Sequence, residues 1–345
     1  GLNMPHRKNL KIAIVINEMS RGGSTKEFLQ GNLYKLIESF QKDVGHQIAI
    51  LLTRSRDHLF KSIISMQNQG YNTFLTYGGD GTINDSIQNL NEGTFLIPIS
   101  AGNANDFAGR LNVRNTSDIQ LAFEDVLAMV EDLIHGRVNV IGLDVGEIQF
   151  LDGSGKLCRK RFVNNCGFGV TAQTVKQIEG QVKKNYALSG LQAIMSASAM
   201  DLSYLTAFSD EEATVKCLGV EALLCRKVGN YAFMAPFKRE NNEAMHFFVI
   251  NDMSWWFRLM FVLAIKFGTW ATLFGMGSYF HDSRRKDKPS KYSMTIEGLS
   301  HLTMKLNELV PLHVDGNMVP EFEETIQKQF TVRILPKFLK TIAPC

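Results

Sequence analysis

The residues with the clearest chemical potential are Gly78-Gly79-Asp80-Gly81-Thr82, followed by Ile83 and Asn84. They come directly after an apolar run, Asn72 to Tyr77, that reads as a buried strand, and they open a helical pattern. Glycines at a strand-to-helix junction let backbone N–H groups approach a polyphosphate without Cβ collisions, and the helix N-terminus favours anions. Asp80 supplies a carboxylate that can orient a nucleotide, hold a cation through water or take a proton. The plainer reading is a tight turn, where Gly and Asp are also common. Five such residues in this order, at the carboxyl end of a strand, favour phosphate binding.

A second polar cluster, Ser100-Ala101-Gly102-Asn103-Ala104-Asn105-Asp106-Phe107-Ala108, closes the next apolar run, Thr94 to Ser100. Asn and Asp there could cap the following helix. Two such clusters on neighbouring strands instead suggest one ligand crevice outside the carboxyl ends of a parallel sheet. A third feature, Val314-Asp315-Gly316, reads on its residues alone as a hairpin turn.

The elements needed to position the first two clusters follow from the hydrophobic pattern. Ile12 to Asn17 and Ile48 to Thr53 read as further buried strands. Phe28, Leu29, Leu33, Leu36, Ile37 and Phe40 recur at helical spacing, as do Leu59, Phe60, Ile63, Ile64 and Met66. One more amphipathic helix, Ile119 to Ile134, ends before Gly136. Beyond it come short β-rich runs: Asn139 to Val145, Arg161 to Asn164, Thr214 to Cys225, Met245 to Ile250, Tyr292 to Ile296 and Leu302 to Leu306. Insertions near Val175 to Phe208 and Ser254 to Met276 interrupt them. The expected class is α/β plus all-β. A nucleotide-binding α/β domain with a parallel sheet spans residues 1–136, and an antiparallel β-sandwich domain spans 137–320.

Composition narrows the function classes. With 345 residues, two domains are expected, and 45% hydrophobic with 21% charged residues is globular composition. A net charge of +3 permits contact with anionic headgroups or nucleotides without requiring it. The basic residues are not interleaved with aromatics into a stripe, so no nucleic-acid partner is expected. The five cysteines (Cys158, Cys166, Cys217, Cys225, Cys345) form no C-x-x-C pair, which speaks against a zinc site or disulfide framework and for a reducing cytosol. Arg7, Lys8 and Lys11 frame no apolar stretch of the kind a secretory signal needs. Trp255 to Met276 is the most apolar segment, but Arg258 and Lys266 interrupt it. A spanning helix needs about 20 nearly uncharged residues, so a core helix is favoured over an interfacial one. The stretch Arg284, Arg285, Lys286, Lys288, Lys291 reads as a solvated loop.

G-G-D-G-T-x-N, followed by G-x-x-N-D-F-A, resembles the diacylglycerol kinase catalytic-domain family, which includes bacterial soluble lipid kinases and sphingosine kinase relatives. Phe162-Val163-Asn164-Asn165-Cys166-Gly167-Phe168-Gly169 is similar to that family's F-x-N-x-x-G-x-G stretch, and Val314-Asp315-Gly316 stands at its late D-G-E motif. The resemblance implies an ATP- and Mg²⁺-dependent lipid kinase with a nucleotide-binding domain, a β-sandwich, and residues 321–345 returning to the first domain. It implies Gly78, Gly79, Asp80, Gly81, Thr82 and Asn84 as ATP ligands, with Asp85 where the family has Glu. It also implies Asn17 and Ser20 in a first phosphate loop, Thr53 against the nucleotide, and Asn103 where the family has Thr or Ser. Asp315 would be the general base, with Asp80 as the rival for that role.

The departures from the family pattern are specific. The first loop reads Asn17-Glu18-Met19-Ser20-Arg21-Gly22-Gly23 in place of N-P-x-S-G. A Glu18 carboxylate near ATP phosphates weakens binding unless it turns away or meets Arg21. Asn317 replaces a Glu and can donate a hydrogen bond but no charge, though it remains a candidate cofactor ligand. Lys238 to Glu243 replaces a D-D-G turn after Pro236, so no metal ligands are carried over. The leading expectation is phosphorylation of a hydroxyl on diacylglycerol or a related lipid. Its acyl chains would enter an apolar cleft between the domains, lined from Trp255, Trp256, Phe257 or Phe261. The protein would then be cytoplasmic and peripheral to a membrane, with Arg284 to Lys291 as a headgroup contact. Assembly as a homodimer is compatible with the sequence. The alternatives are a lipid- or nucleotide-binding module without turnover and, more remotely, an NAD kinase. NAD kinases share G-G-D-G-T but carry a later G-x-L-G-F that is missing here.

Overall fold

The structure is a computed structural model describing residues 10–18, 29–100, 106–111, 113, 116, 118–179, 181, 185–205, 212–225, 227–228, 232–233, 239–266, 293–325 and 329–343. The chain divides into two units, Gly1–Leu143 with Pro336–Cys345, and Asp144–Leu335.

The first unit is built on four parallel strands. β1 (Ile12–Asn17) lies between β2 (Ile48–Thr53) and β3 (Thr73–Gly78), and β3 pairs with β4 (Phe95–Ser100). In this register Asn17 stands opposite Thr53 and Gly78 opposite Ser100, so all four are at carboxyl strand ends. β1, β3 and β4 are almost wholly buried, which explains their near-continuous apolar runs. A π-helical turn, Leu29–Leu33, leads into α1 (Tyr34–Val44), which ends at Gly45 in the left-handed conformation. α2 (Arg56–Asn68) begins at Ser55, whose hydroxyl accepts the His58 N–H. α3 (Asp80–Ile87), α4 (Asp106–Arg110) and α5 (Ile119–Ile134) follow. Ile37 and Phe40 of α1, with Phe123, Val126 and Val130 of α5, close the core over Ile14, Ile16, Leu75, Tyr77 and Ile97.

The second unit is antiparallel. β5 (Val140–Leu151) enters it from the first unit and pairs with β6 (Leu157–Phe162). β7 (Asn165–Gly169) leads into two helices, α6 (Val170–Glu179) and α7 (Tyr186–Ser196), and then into β8 (Met200–Leu205). β9 (Ala213–Leu223) pairs with β7, β8 and β12 (Met245–Asn251); between them β10 (Lys227–Val228) and β11 (Ala232–Phe233) form a separate short pair. After α8 (Trp255–Lys266) come β13 (Ser293–Leu299), β14 (His301–Leu306), β15 (Leu312–Val314) and β16 (Asn317–Met318). A 3₁₀ turn, Pro320–Glu324, precedes β17 (Gln329–Ile342). The order from one edge is β16-β15-β7-β9-β8-β14-β17. Phe322 packs edge-on against both Phe150 and Phe330, at 5.2 Å between ring centroids in each pair, in the core of this unit.

α8 packs one face into the core, as expected from sequence, and exposes the other; residues 267–276 of that apolar segment lie outside the described residues. Phe257, Phe261 and Val262 pack with Ile194, Leu218 and Phe248, but Trp255 and Trp256 are 64% and 58% exposed. Its internal charge is turned inward: Arg258 donates to the carbonyls of Met253, Ile194 and Ala197. Among the described residues no helix is long and apolar enough to cross a membrane.

Candidate functional site

The first glycine of Gly78-Gly79-Asp80-Gly81-Thr82 is the last residue of β3, and the loop is the shortest link between β3 and α3. Gly78 has φ +152°, and a Cβ there would lie 2.3 Å from Thr82 Oγ1. Only glycine fits. Gly79 is the N-cap of α3 and provides no side-chain cap, so the first-turn N–H groups of this eight-residue helix are left to other partners. Asp80, Thr82 and Asn84 are buried. The Asp80 carboxylate reaches the next segment, where Oδ1 accepts the Phe107 N–H at 3.2 Å. Asn84 accepts from Gln88 Nε2 through its side chain and its carbonyl, and Asp85 pairs with Arg56 at 3.1 Å.

At the neighbouring strand ends Thr53 is buried and donates its hydroxyl to the Ile16 carbonyl at 3.2 Å. The Glu18 N–H then bonds to the Thr53 carbonyl, which brings the Glu18 carboxylate within 2.6 Å of Arg54 Nε. Arg21, one of the two possibilities considered for Glu18, lies outside the described residues; the described partner is Arg54. Asn17, Thr53 and the Gly78–Asn84 loop therefore meet at one end of one sheet. Ser20, Asn103, the turn residues up to Lys238 and the basic stretch Arg284 to Lys291 lie outside the described residues.

Asp315 belongs to the second unit. With φ +50°, and with Gly316 at φ +81°, it forms the two-residue turn between β15 and β16, so the hairpin expected of Asp-Gly is present. The turn is also tied down by its side chain. Asp315 Oδ2 accepts the Val163 N–H at 2.8 Å, and Oδ1 accepts those of Asn164 and Asn165 at 2.8 and 3.0 Å. Asn317 follows, its Nδ2 buried with no hydrogen-bond partner among the described residues.

Residues 11–138 match the diacylglycerol kinase catalytic domain. The resemblance seen in the motifs is thus also found across the α/β segment that carries the glycine loop. No protein of curated function matches the chain in sequence. Among solved structures, a diacylglycerol kinase from Bacillus anthracis str. Sterne is similar with a TM-score of 0.62 and 14% identity, over 96% of this chain and 96% of that one. A yeast NADH kinase complexed with NADH has a TM-score of 0.52 and 11% identity over 98% and 85% of the two chains. An NAD kinase from Archaeoglobus fulgidus in complex with ATP has a TM-score of 0.51 and 11% identity, over 96% and 93%. These likenesses show the fold, an α/β domain followed by antiparallel strands. With the diacylglycerol kinase catalytic domain, they support a kinase of the diacylglycerol kinase and NAD kinase superfamily.

The diacylglycerol kinase catalytic domain match ends before a group that the sequence reading passed over. Glu221 of β9 is 1% exposed, and its Oε1 receives Asn165 Nδ2 at 2.7 Å and His313 Nε2 at 2.6 Å. Thr171 Oγ1 donates to Oε2 at 2.8 Å. Burial works against a charged His313, but Glu221, by charge and hydrogen bond, and then Asp315 outweigh it and raise the pKa of the ring. The signal was present in the sequence: an acidic residue inside the apolar run Leu218 to Leu224 is rarely buried without a partner.

Proposed function

We propose that this chain transfers the γ-phosphoryl group of Mg-ATP to the hydroxyl of a lipid, with diacylglycerol or a close relative as acceptor. The observation that carries the reading is the Gly78–Thr82 junction. A buried strand ends on a glycine that admits no side chain, and the next helix begins without a side-chain cap inside the stretch matching the diacylglycerol kinase catalytic domain. N–H groups so presented suit phosphate oxygens. Asn17, Thr53 and Thr82 stand around the same sheet end and would contact the nucleotide, with Asn84 and Asp85 one turn further on.

Among the described residues no three His, Cys, Asp or Glu side chains gather into a metal cage. Mg²⁺ typically keeps several waters and needs one or two carboxylates beside substrate phosphates, so the single carboxylate of Asp80 suits an ion arriving with ATP. That ion would neutralise phosphate charge.

Asp315 is assigned as the base. The acceptor O–H gives its proton to the Asp315 carboxylate, its oxygen bonds to the γ-phosphorus, and the bond to the β-phosphate oxygen breaks to release ADP. Three backbone N–H bonds fix the carboxylate in place. A positioned base of this kind contributes about 10²–10⁴-fold. Asp80 is the rival base. The exposed Trp255 and Trp256 support a lipid met at a membrane surface, since indole side chains favour that interface.

The test is transfer of labelled γ-phosphate from Mg-ATP to vesicles carrying diacylglycerol, sphingoid and monoacyl lipids, with NAD run in parallel and Asp315→Asn beside the native chain. Product on one lipid, lost in the variant, is the expected result. Product on NAD alone would replace the lipid assignment. ATP binding without any product would favour the non-catalytic module, a reading drawn from Asn317 standing where the family has Glu and from the altered first loop, Asn17 to Gly23.

A further inference from the structure

We propose that Glu221 is the positioning residue for Asp315, acting through Asn165 and His313; this rests on the reading of Asp315 as the base. The Asp315-Gly316 turn is gripped from two sides. On one side Asn165 gives its N–H to Asp315 Oδ1 and takes the Asp315 N–H on its carbonyl at 2.8 Å. On the other, Gly316 donates its N–H to His313 Nδ1 at 3.1 Å. Both grips lead back to one atom, because Asn165 Nδ2 and His313 Nε2 converge on Glu221 Oε1.

The local backbone makes room for this convergence. Gly167 on β7 stands in register with Glu221 on β9 and with His313 on β15. A Cβ at Gly167 would lie 1.6 Å from Glu221 Oε2. The missing side chain lets the carboxylate reach across β7 to the imidazole. A buried carboxylate is costly unless its oxygens are filled, and here Asn165, His313 and Thr171 fill them. An apolar side chain at this position would strand those three donors.

The ring also has a defined polarity. Because Nδ1 accepts from Gly316, the proton of the neutral imidazole sits on Nε2, directed at Glu221. A carboxylate that sets a histidine's tautomer sets what the other nitrogen can hold, in this case the turn bearing Asp315.

The test is Glu221→Gln, which keeps the size and one acceptor oxygen. It is measured for kcat with the lipid acceptor, for the KM of ATP, and for the resonances of the His313 ring nitrogens and the Gly316 amide. The expected result is a fall in kcat of about 10- to 100-fold with the KM of ATP unchanged, and a shift of both sets of resonances. In an Asp315→Asn background the same substitution is expected to cost nothing further. Equal losses in both backgrounds, or resonances that stay in place, would overturn the proposal. Full activity in Asp315→Asn would instead remove Asp315 as base, and the resonances alone would then decide whether Glu221 sets the turn. If Glu221→Gln does not fold, His313→Asn asks the same question, since its Oδ1 stands near the Nδ1 position and keeps the Gly316 bond while cutting the tie to Glu221. An unchanged kcat and an unmoved Gly316 amide there count against the proposal; a loss supports it.

Discussion

The carboxylate of Asp80 and the backbone N–H of Phe107 are 3.2 Å apart, so the residue that opens α3 also holds the head of α4. One side chain therefore serves a proposed nucleotide contact and a strut in the surrounding loops. Asp80→Asn keeps an acceptor oxygen and is expected to stay folded while phosphoryl transfer falls at least about 100-fold. Asp80→Ala removes the acceptor as well and is expected to cost about 1.5–3 kcal/mol in urea unfolding. An alanine variant as stable as the native chain would refute the strut.

Gly78→Ala places a methyl group 2.3 Å from Thr82 Oγ1 at a φ of +152°. We expect a loss of roughly 1–3 kcal/mol from backbone strain and collision. Calorimetric ATP affinity should fall at least tenfold, because the N–H groups of the loop can no longer keep their present places. Unaltered ATP affinity in a folded variant would mean the phosphates bind elsewhere.

Arg54 is 78% exposed on its side chain and holds the Glu18 carboxylate at 2.6 Å beside the proposed phosphate site. Arg54→Ala should change stability by less than about 1 kcal/mol, as exposed pairs do. It should nevertheless raise the Kd for ATP several-fold at low ionic strength, because Glu18 is then left with its charge uncompensated near the phosphates. Added salt should shrink the difference. A Kd independent of both substitution and salt would separate Glu18 from the nucleotide.

His313 faces Glu221 on β9 and Asp315 on its own turn. The imidazole pKa is raised from 6.5, so its contribution to stability is complete below that pH and is lost as pH rises through the folded value. Melting temperature is therefore expected to fall as pH climbs above about 6.5, and His313→Gln should flatten that slope. The Gly316 bond needs the neutral ring, so kcat should rise over the same window. Parallel stability curves for the two chains would rule the imidazole out as the titrating group.

How far the pattern of residues reached depended on whether the partner was local. Ile12–Asn17, Ile48–Thr53 and Ile119–Ile134 have the boundaries their apolar periodicity predicts, because each is bounded by polar residues, a cap or a glycine close in sequence. The strand expected over Arg161 to Asn164 is instead broken at Val163 and Asn164. Their N–H groups turn to Asp315, more than 150 residues away, and no local pattern encodes that. β17 escaped notice because Pro336, Lys337 and Lys340 dilute its alternation. At the site, the glycine loop was legible because a strand, a turn and a helix cap all speak within seven residues, Gly78 to Asn84. The partner of the Glu18 carboxylate and the partners of Glu221 were not, since each lies at least 36 residues away in sequence.

β17 is shared: Gln329–Leu335 belongs to the second unit and Pro336–Ile342 to the first. In the first unit it lies beside β4, where Thr341 donates its hydroxyl to the Leu96 carbonyl, 245 residues away in sequence, and Lys340 its N–H to Thr94. During synthesis, then, the earliest-made unit waits with β4 as a bare edge until residues 336–343 have left the ribosome. An uncovered parallel edge invites pairing with other chains. A fragment stopped at residue 143 should accordingly associate through that edge, and supplying the 336–343 peptide in trans should suppress it.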